Sequence, residues 1–249
     1  MKKKLLKIYN LSKNYHTKNS EIKAIDNISF DVYEDEILAI VGPSGCGKST
    51  LLSILSGIED KSDGEIIKAH NFKIGYMLQK DSLFEWRTIL NNCLLGLEIS
   101  NTLNDENKKN VINLLNKYGL KDFINSYPKS LSGGMRQRVA LIRTLANNPD
   151  ILLLDEPFSA LDYQTRLLVG NDVYNIIKNE KKSAILVTHD LAEAISMADK
   201  VIVLSKRPSK IKNIYEIKFE DRKSPIEIRQ TKEFFKYYDL IWKDIDKNV

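Results

Sequence analysis

Residues 37–50 read Ile37-Leu38-Ala39-Ile40-Val41-Gly42-Pro43-Ser44-Gly45-Cys46-Gly47-Lys48-Ser49-Thr50. The first five form an unbroken apolar run between Asp35-Glu36 and Gly42-Pro43, which is the pattern of a strand buried on both faces. From Ser49 to Leu55 the apolar residues fall at helical spacing, and Gly57 supplies a C-terminal stop. The stretch therefore predicts a strand, a glycine-rich turn and a helix. Gly42 to Ser49 fits G-x-x-x-x-G-K-[ST]. Glycines in such a turn let backbone N–H groups converge on phosphate oxygens, and the helix that follows presents its positive end to them. Lys48 is then placed to reach the β- and γ-phosphates of a nucleotide, and Ser49 offers a hydroxyl to Mg²⁺. Cys46 reads as a small packing residue inside the loop.

Outward from this turn, further apolar runs recur at Lys73 to Leu78, Ile151 to Leu154, Ala184 to Val187 and Val201 to Leu204, separated by helical patterns. Buried strands alternating with helices predict an α/β core on a mainly parallel sheet. Nearer the N-terminus, short β-like runs at Leu5 to Leu11 and Ile25 to Val32, joined through Thr17-Lys18-Asn19-Ser20, predict an antiparallel segment. Residues 86–130 hold no comparable strand run. Asp105 to Tyr118 places Val111, Ile112, Leu114, Leu115 and Tyr118 on one helical face, so this region reads as a helical insertion. From Pro225 onward, Ile226, Phe234, Phe235, Tyr238, Leu240 and Trp242 read as an amphipathic helix packing back on the body. No internal repeat or flexible linker is visible.

The chain has 249 residues, 43% apolar and 29% charged, a composition that excludes disorder and collagen-like repeats. That length suffices for one large α/β domain. No stretch approaches the roughly 18 apolar residues of a membrane span, and mean hydropathy is −0.31. The N-terminal Met1-Lys2-Lys3-Lys4-Leu5-Leu6-Lys7 is broken by Lys7 and Asn10 before a signal-peptide core accumulates, so a cytoplasmic chain is expected. The net charge of +5 is spread along the sequence, whereas a duplex-binding domain more often gathers Lys and Arg on one face. Nucleic acid is therefore not expected as a partner. Two cysteines, Cys46 and Cys93, are too few for a disulfide framework, and with three histidines they lack zinc-ligand spacing.

Ile151-Leu152-Leu153-Leu154-Asp155-Glu156 is an apolar strand that ends in two carboxylates. Beside the phosphate loop it fits the second Mg²⁺-holding element of P-loop NTPases: Asp155 holding the metal through water, Glu156 polarising the attacking water as general base. Leu131-Ser132-Gly133-Gly134-Met135-Arg136-Gln137-Arg138 puts a serine and a glycine pair at the opening of a helix expected over Met135 to Ala146. This is a second cluster of N–H donors able to bind phosphate, although alone it reads equally as an N-cap with nothing bound. Two phosphate-binding termini are redundant for one nucleotide, unless the second serves the nucleotide of a partner molecule.

Taken together and in this order, the motifs resemble those of an ABC transporter ATP-binding subunit over nearly the whole chain. Gly42 to Thr50 (Gly42, Pro43, Ser44, Gly45, Cys46, Gly47, Lys48, Ser49, Thr50) resembles Walker A, Gln79 the Q-loop and Leu131 to Gln137 the signature. Leu152 to Glu156 resembles Walker B, Ser159 to Asp162 the D-loop, His189 the switch histidine, and Tyr15 the aromatic that stacks on adenine. The resemblance implies a P-loop NTPase core with a mainly parallel sheet, an N-terminal antiparallel β-subdomain and a helical signature subdomain. All of it forms one ABC ATPase domain: residues 1–85 and 150–225 the RecA-like core with antiparallel β, 86–149 the helical part, and 226–249 a C-terminal helix. ATP and Mg²⁺ are the implied cofactors. Two copies would dock head to tail and sandwich two ATP molecules, each between Walker A of one copy and Ser132, Gly133, Gly134 and Gln137 of the other, with Asp162 at the same interface. Glu156, His189 and Gln79 would be catalytic, and Ser49, Gln79 and Asp155 would hold the metal.

Lys80 to Asn92, just after Gln79, lies where the family forms the groove that receives the permease, and its Trp86-Arg87-Thr88 is similar to the nitrate/sulfonate/taurine importer group, which includes carriers of thiamine precursors. Glu85 stands where many members carry proline. The resemblance implies a peripheral subunit on the cytoplasmic face of the membrane, bound to transmembrane permease subunits and served indirectly by an extracytoplasmic solute-binding protein. The alternatives are an ABC exporter ATPase and a DNA-repair or chromosome ABC ATPase. The latter class inserts long heptad-patterned coiled coils between Walker A and the signature, and none is present here.

Overall fold

A computed structural model of the chain describes residues 2–16, 20–70 and 72–246, so the connection expected at Thr17-Lys18-Asn19 lies outside the described residues. In chain order the elements begin with β1 (Lys4–His16), β2 (Glu21–Tyr33), β3 (Ile37–Val41), α1 (Lys48–Ser56), β4 (Asp63–Lys68) and β5 (Ile74–Met77). Then come α2 (Ile89–Ile99), α3 (Asp105–Lys117), α4 (Gly133–Leu145), β6 (Ile151–Asp155), α5 (Tyr163–Asn179) and β7 (Ser183–Val187). The chain closes with α6 (Leu191–Met197), β8 (Lys200–Leu204), β9 (Ile211–Glu216), α7 (Pro225–Ile228) and α8 (Lys232–Asp246).

Two sheets result. A three-stranded antiparallel sheet has the order β2-β1-β4, and a six-stranded sheet has the order β5-β6-β7-β3-β8-β9. In the larger sheet every pairing is parallel except β8 with β9. The central strands β3, β6 and β7 are buried at every residue, as continuous apolar runs covered on both faces must be. Their side chains alternate between two cores. Leu38 and Ile40 of β3 pack with Leu51 and Leu55 of α1 and with Leu6 and Ile28 of the small sheet. Ala39 and Val41 pack with Val173 and Ile177 of α5 and with Ile241 of α8. A third core, built from Ile89, Cys93, Leu97, Val111, Leu115, Val139 and Ile142, joins α2, α3 and α4.

Strand order has a direct consequence for the site. β3 and β6 flank β7, all three run parallel, and their C-terminal ends lie at one edge of the sheet. The turn after Val41, the carboxylates after Leu154 and the segment after Val187 are thereby brought to one place, where open α/β sheets bind ligands.

Three expectations need correction. β4 and β9 were not anticipated: both are edge strands with mostly polar, half-exposed sequences, so neither carries a buried run. The C-terminal segment is two helices, because α7 stops after Ile228 and Thr231 Oγ1 accepts a new capping bond from Phe234 N at 3.2 Å. On α8, Phe234 and Ile241 are buried, whereas Phe235, Leu240 and Trp242 remain exposed. The helix expected from Met135 starts earlier, at Gly133, with Ser132 as its cap. Among the described residues, no helix is long and apolar enough to cross a membrane.

Candidate nucleotide-binding site

The turn after β3 is shaped by glycines at left-handed backbone angles: φ is +72° at Gly45 and +112° at Gly47. Gly47 is the N-cap of α1 and no side chain caps that helix, so its first N–H groups face the turn. Lys48 is buried and curls back over the loop, its Nζ donating to Gly42 O at 2.9 Å and Pro43 O at 3.2 Å.

Ser49, at the start of the same helix, donates through Oγ to Asp155 Oδ1 at 3.0 Å. Tyr76 of β5 donates its hydroxyl to Asp155 Oδ2 at 3.3 Å. Burial pushes the Asp155 carboxyl above its usual range, against the lowering effect of these two bonds. The Tyr76 hydroxyl is itself pushed up to about 12, by burial and by the Asp155 charge. The next residue, Glu156, has φ of +44°, an angle that a non-glycine residue keeps only where surrounding bonds hold it. Here Glu156 N donates to Val187 O at 2.8 Å. Two side chains meet its carboxylate: Gln79 Nε2 lies 3.5 Å from Oε2, and His189 Nδ1 lies 3.2 Å from the same oxygen. Gln79 Nε2 also donates to Ser159 Oγ at 3.3 Å.

Of these groups Lys48, Ser49 and Glu156 line a cleft of about 330 Å³ together with Ser44 and Gly45, and Asp155, Gln79 and His189 are joined to it through their bonds to Ser49 and Glu156. Tyr15, Ile22 and Ala24 of the small sheet close its other side, and Tyr15 donates its hydroxyl to Thr50 Oγ1 at 3.4 Å. The cleft thus combines a ring of N–H donors, a buried lysine, a hydroxyl–carboxylate pair and an aromatic wall, which is the donor set a nucleoside polyphosphate requires.

The remaining expected residues lie at the N-termini of α4 and α5. Ser132 is exposed and caps α4, accepting from Met135 N at 3.4 Å. Gly134 packs so tightly on α5 that a Cβ there would stand 2.6 Å from Val169 Cγ2. Asp162 caps α5, accepting from Thr165 N at 3.1 Å, and its bonds to Thr165 hold its carboxyl below the usual range. Gln137 is buried, so Ser132 and Gly133 are the exposed residues of that motif. None of Ser132, Gly133, Gly134, Gln137 or Asp162 is among the described residues that line the cleft.

A family profile for ABC transporters matches residues 25–159. This chain belongs to the ABC transporter family, as an ATP-binding subunit that hydrolyses ATP in the service of transport. It is 44% identical to an uncharacterised ABC transporter ATP-binding protein, YtlC of Bacillus subtilis (strain 168), over 97% of this chain and 95% of that protein. It is 36% identical to the taurine import ATP-binding protein TauB of Jannaschia sp. (strain CCS1), over 94% of this chain and 90% of that one. Among solved structures, the ATP-binding cassette MJ0796, a dimer in a post-hydrolysis state bound to ADP and Pi, superposes with a TM-score of 0.72 at 30% identity. That match covers 86% of this chain and all of the other.

The residues of this ABC ATPase fit Mg²⁺. A hydroxyl and a carboxylate from separate elements converge at Ser49 and Asp155, both hard oxygen donors, and burial leaves the carboxylate poorly compensated without a cation. A larger hollow of about 480 Å³ between α3 and the end of α5 has none of this chemistry. Its lysines are already engaged, Lys117 with Glu180 and Lys182 with Asn148.

Two residues at the site, Tyr76 and Arg207, escaped the sequence reading, and Ser159 was read only as the start of the D-loop. Tyr76 was legible only as part of an apolar run, and its contact follows from the parallel register that pairs Met77 with Leu154. Ser159 touches Gln79, and Arg207 reaches the cleft from the turn between β8 and β9. Arg87 Nη2 donates to Glu98 Oε1 at 2.6 Å and Oε2 at 2.7 Å, and Thr88 caps α2. Trp86 is left as the exposed member of that triplet, at 74% exposure.

Proposed function

We propose that this ABC ATPase powers an importer for a small sulfonate-like solute such as taurine, with nitrate and thiamine precursors as the further classes. The observation that supports this reading of the site is that Gln79 and His189 both reach the Glu156 carboxylate, at 3.5 Å and 3.2 Å, beside the phosphate loop. Glu156 Oε2 takes a proton from water as the water oxygen attacks the γ-phosphorus. ADP and phosphate are the products. His189 and Gln79 hold that carboxylate and the water in line. Ser49 and Asp155 would hold Mg²⁺, which would supply neutralising charge to the polyphosphate.

Ser132 and Gly133 are exposed at the N-terminus of α4 yet absent from the cleft of their own chain. This supports a head-to-tail homodimer in which each copy's α4 completes the other's site with two ATP between them. The importer assignment draws on Trp86, exposed on the segment after Gln79, and on the taurine importer relative. Trp86 packs against Phe84, ring centroids 4.8 Å apart and planes tilted by 47°, as an apolar knob fit for a permease helix. On this reading the subunit sits at the cytoplasmic face of the membrane, and an extracytoplasmic binding protein delivers the solute.

Reconstitution with candidate transmembrane permease subunits tests the proposal. Stimulation of ATP hydrolysis by a binding protein loaded with taurine or another alkanesulfonate is expected. Stimulation by nitrate or a pyrimidine precursor instead would move the solute class, and solute export from the same vesicles would overturn import. Ser132→Ala should reduce hydrolysis far more than nucleotide binding by the monomer; equal losses would contradict the shared site.

A further inference from the structure

The turn between β8 and β9 is pinned to the wall of the cleft. Ser209 is fully buried, its N donates to Ala24 O at 3.0 Å, and its O accepts from Asp26 N at 2.9 Å. Ala24 lines the cleft itself, so the backbone that carries Arg207 is fixed to the strand that forms the nucleotide's wall. From this anchored turn the exposed Arg207 side chain reaches the phosphate loop, its Nη2 donating to Gly45 O at 2.9 Å. That bond takes one of the five guanidinium N–H donors. Among the described residues Arg207 forms no ion pair, whereas its neighbour Lys210 is paired with Asp26 at 2.9 Å.

We propose that Arg207 is a phosphate-contacting residue of the nucleotide site, sharing the polyphosphate with Lys48. The inference rests on the cleft being the nucleotide's site. A planar guanidinium anchored by one donor keeps the rest of its fork for phosphate oxygens, a geometry for which arginine is better suited than lysine. Its field already reaches the loop: the Cys46 thiol is pushed up by burial, and the charges of Lys48 and Arg207 oppose that shift. Buried Lys48 is held at Gly42 O and Pro43 O and exposed Arg207 at Gly45 O, so the two cations meet the loop at different carbonyls.

Calorimetric binding of MgATP, MgADP and AMP to the full chain tests this, with Arg207→Ala, Arg207→Lys and Lys48→Ala compared. Loss of a charge-assisted contact at a partly exposed site predicts affinity for ATP and ADP about tenfold weaker in Arg207→Ala, with partial rescue in Arg207→Lys. AMP binding and the melting temperature of the nucleotide-free chain should stay as in the parent. Unchanged ATP affinity in Arg207→Ala, with Lys48→Ala strongly impaired, would overturn the role of Arg207 and leave the cleft standing. Unchanged ATP affinity in Lys48→Ala as well would instead overturn the cleft as the nucleotide's site. A fall in the nucleotide-free melting temperature that tracks the lost affinity would make Arg207 a brace for Gly45 and contradict the proposal.

Discussion

Ser49 Oγ and Asp155 Oδ1 lie 3.0 Å apart, although 106 positions separate them along the chain. Parallel strands β3 and β6 on either side of β7 make this possible, since each delivers its C-terminal end to the same edge. The pair stores a conflict. Burial raises the Asp155 carboxyl, so its charged form costs folding free energy that a bound cation would offset. We therefore expect Asp155→Asn to raise the melting temperature of the nucleotide-free chain. Mg²⁺-dependent hydrolysis should fall by on the order of a hundredfold or more. A less stable variant with retained hydrolysis would contradict this division of roles.

Glu193 offers a pH test. It is buried beneath the segment that carries His189 and accepts from Thr188 Oγ1 at 2.7 Å. Burial pushes its carboxyl from 4.5 to about 7; the Asp190 charge adds to the rise, while the Thr188 bond, Arg166 and Arg229 oppose it. Because the folded chain holds this proton more tightly than the unfolded chain, the stabilisation is complete below pH 4.5 and is lost as pH rises through about 7. The loss is on the order of 3 kcal/mol. Glu193→Gln keeps an acceptor for Thr188 and removes the titration. Melting temperatures of the parent and the variant should converge near the acid end of this window and separate above it, with the parent lower. Parallel curves would show that Glu193 does not titrate there.

Asn92 governs the shape of the segment after Gln79. Fully buried at the start of α2, its Oδ1 accepts from Phe84 N at 2.7 Å, and its Nδ2 donates to Phe84 O, Arg87 O and Thr88 O at 3.0–3.1 Å. Arg136 of α4 adds charge from the other side, pairing with Asp81 and with Glu85 at 2.8 Å each. Asn92→Ala removes the partners of Phe84 N and Arg87 O, while Phe84 O keeps Arg87 N and Thr88 O keeps Asn92 N, and it should cost about 2–3 kcal/mol in denaturant unfolding. Trp86→Ala removes only the exposed knob, so stability and nucleotide affinity should be unchanged while co-purification with the permease weakens. Unaltered assembly would remove Trp86 from the docking surface.

How far the sequence was legible follows from where each signal resides. The strand, turn and helix at Ile37 to Ser56 are local, and the buried run, glycines and lysine lie within one short window. Asp155 and Glu156 were equally plain at the end of an apolar strand. The contact of Gln79 and His189 with Glu156 depends on strand order, which no local pattern encodes; the family resemblance brought those residues forward instead. Edge strands β4 and β9 escaped because they bury little and so need no apolar run. Glu85 stood out as a departure from the family pattern, and only the fold shows it paired with Arg136. Arg207 is invisible as a site residue until the turn that carries it is seen pinned to Ala24.

The central claim is that Glu156 takes the proton in a site completed by a second copy of the chain, and Glu156→Gln addresses it directly. The measurement is the mass of the variant in solution with and without MgATP, together with its turnover. The account predicts ATP binding close to that of the parent, turnover reduced by on the order of a hundredfold or more, and a stable dimer that forms only with ATP. Near-normal hydrolysis, or a variant that stays monomeric at saturating ATP, would contradict it.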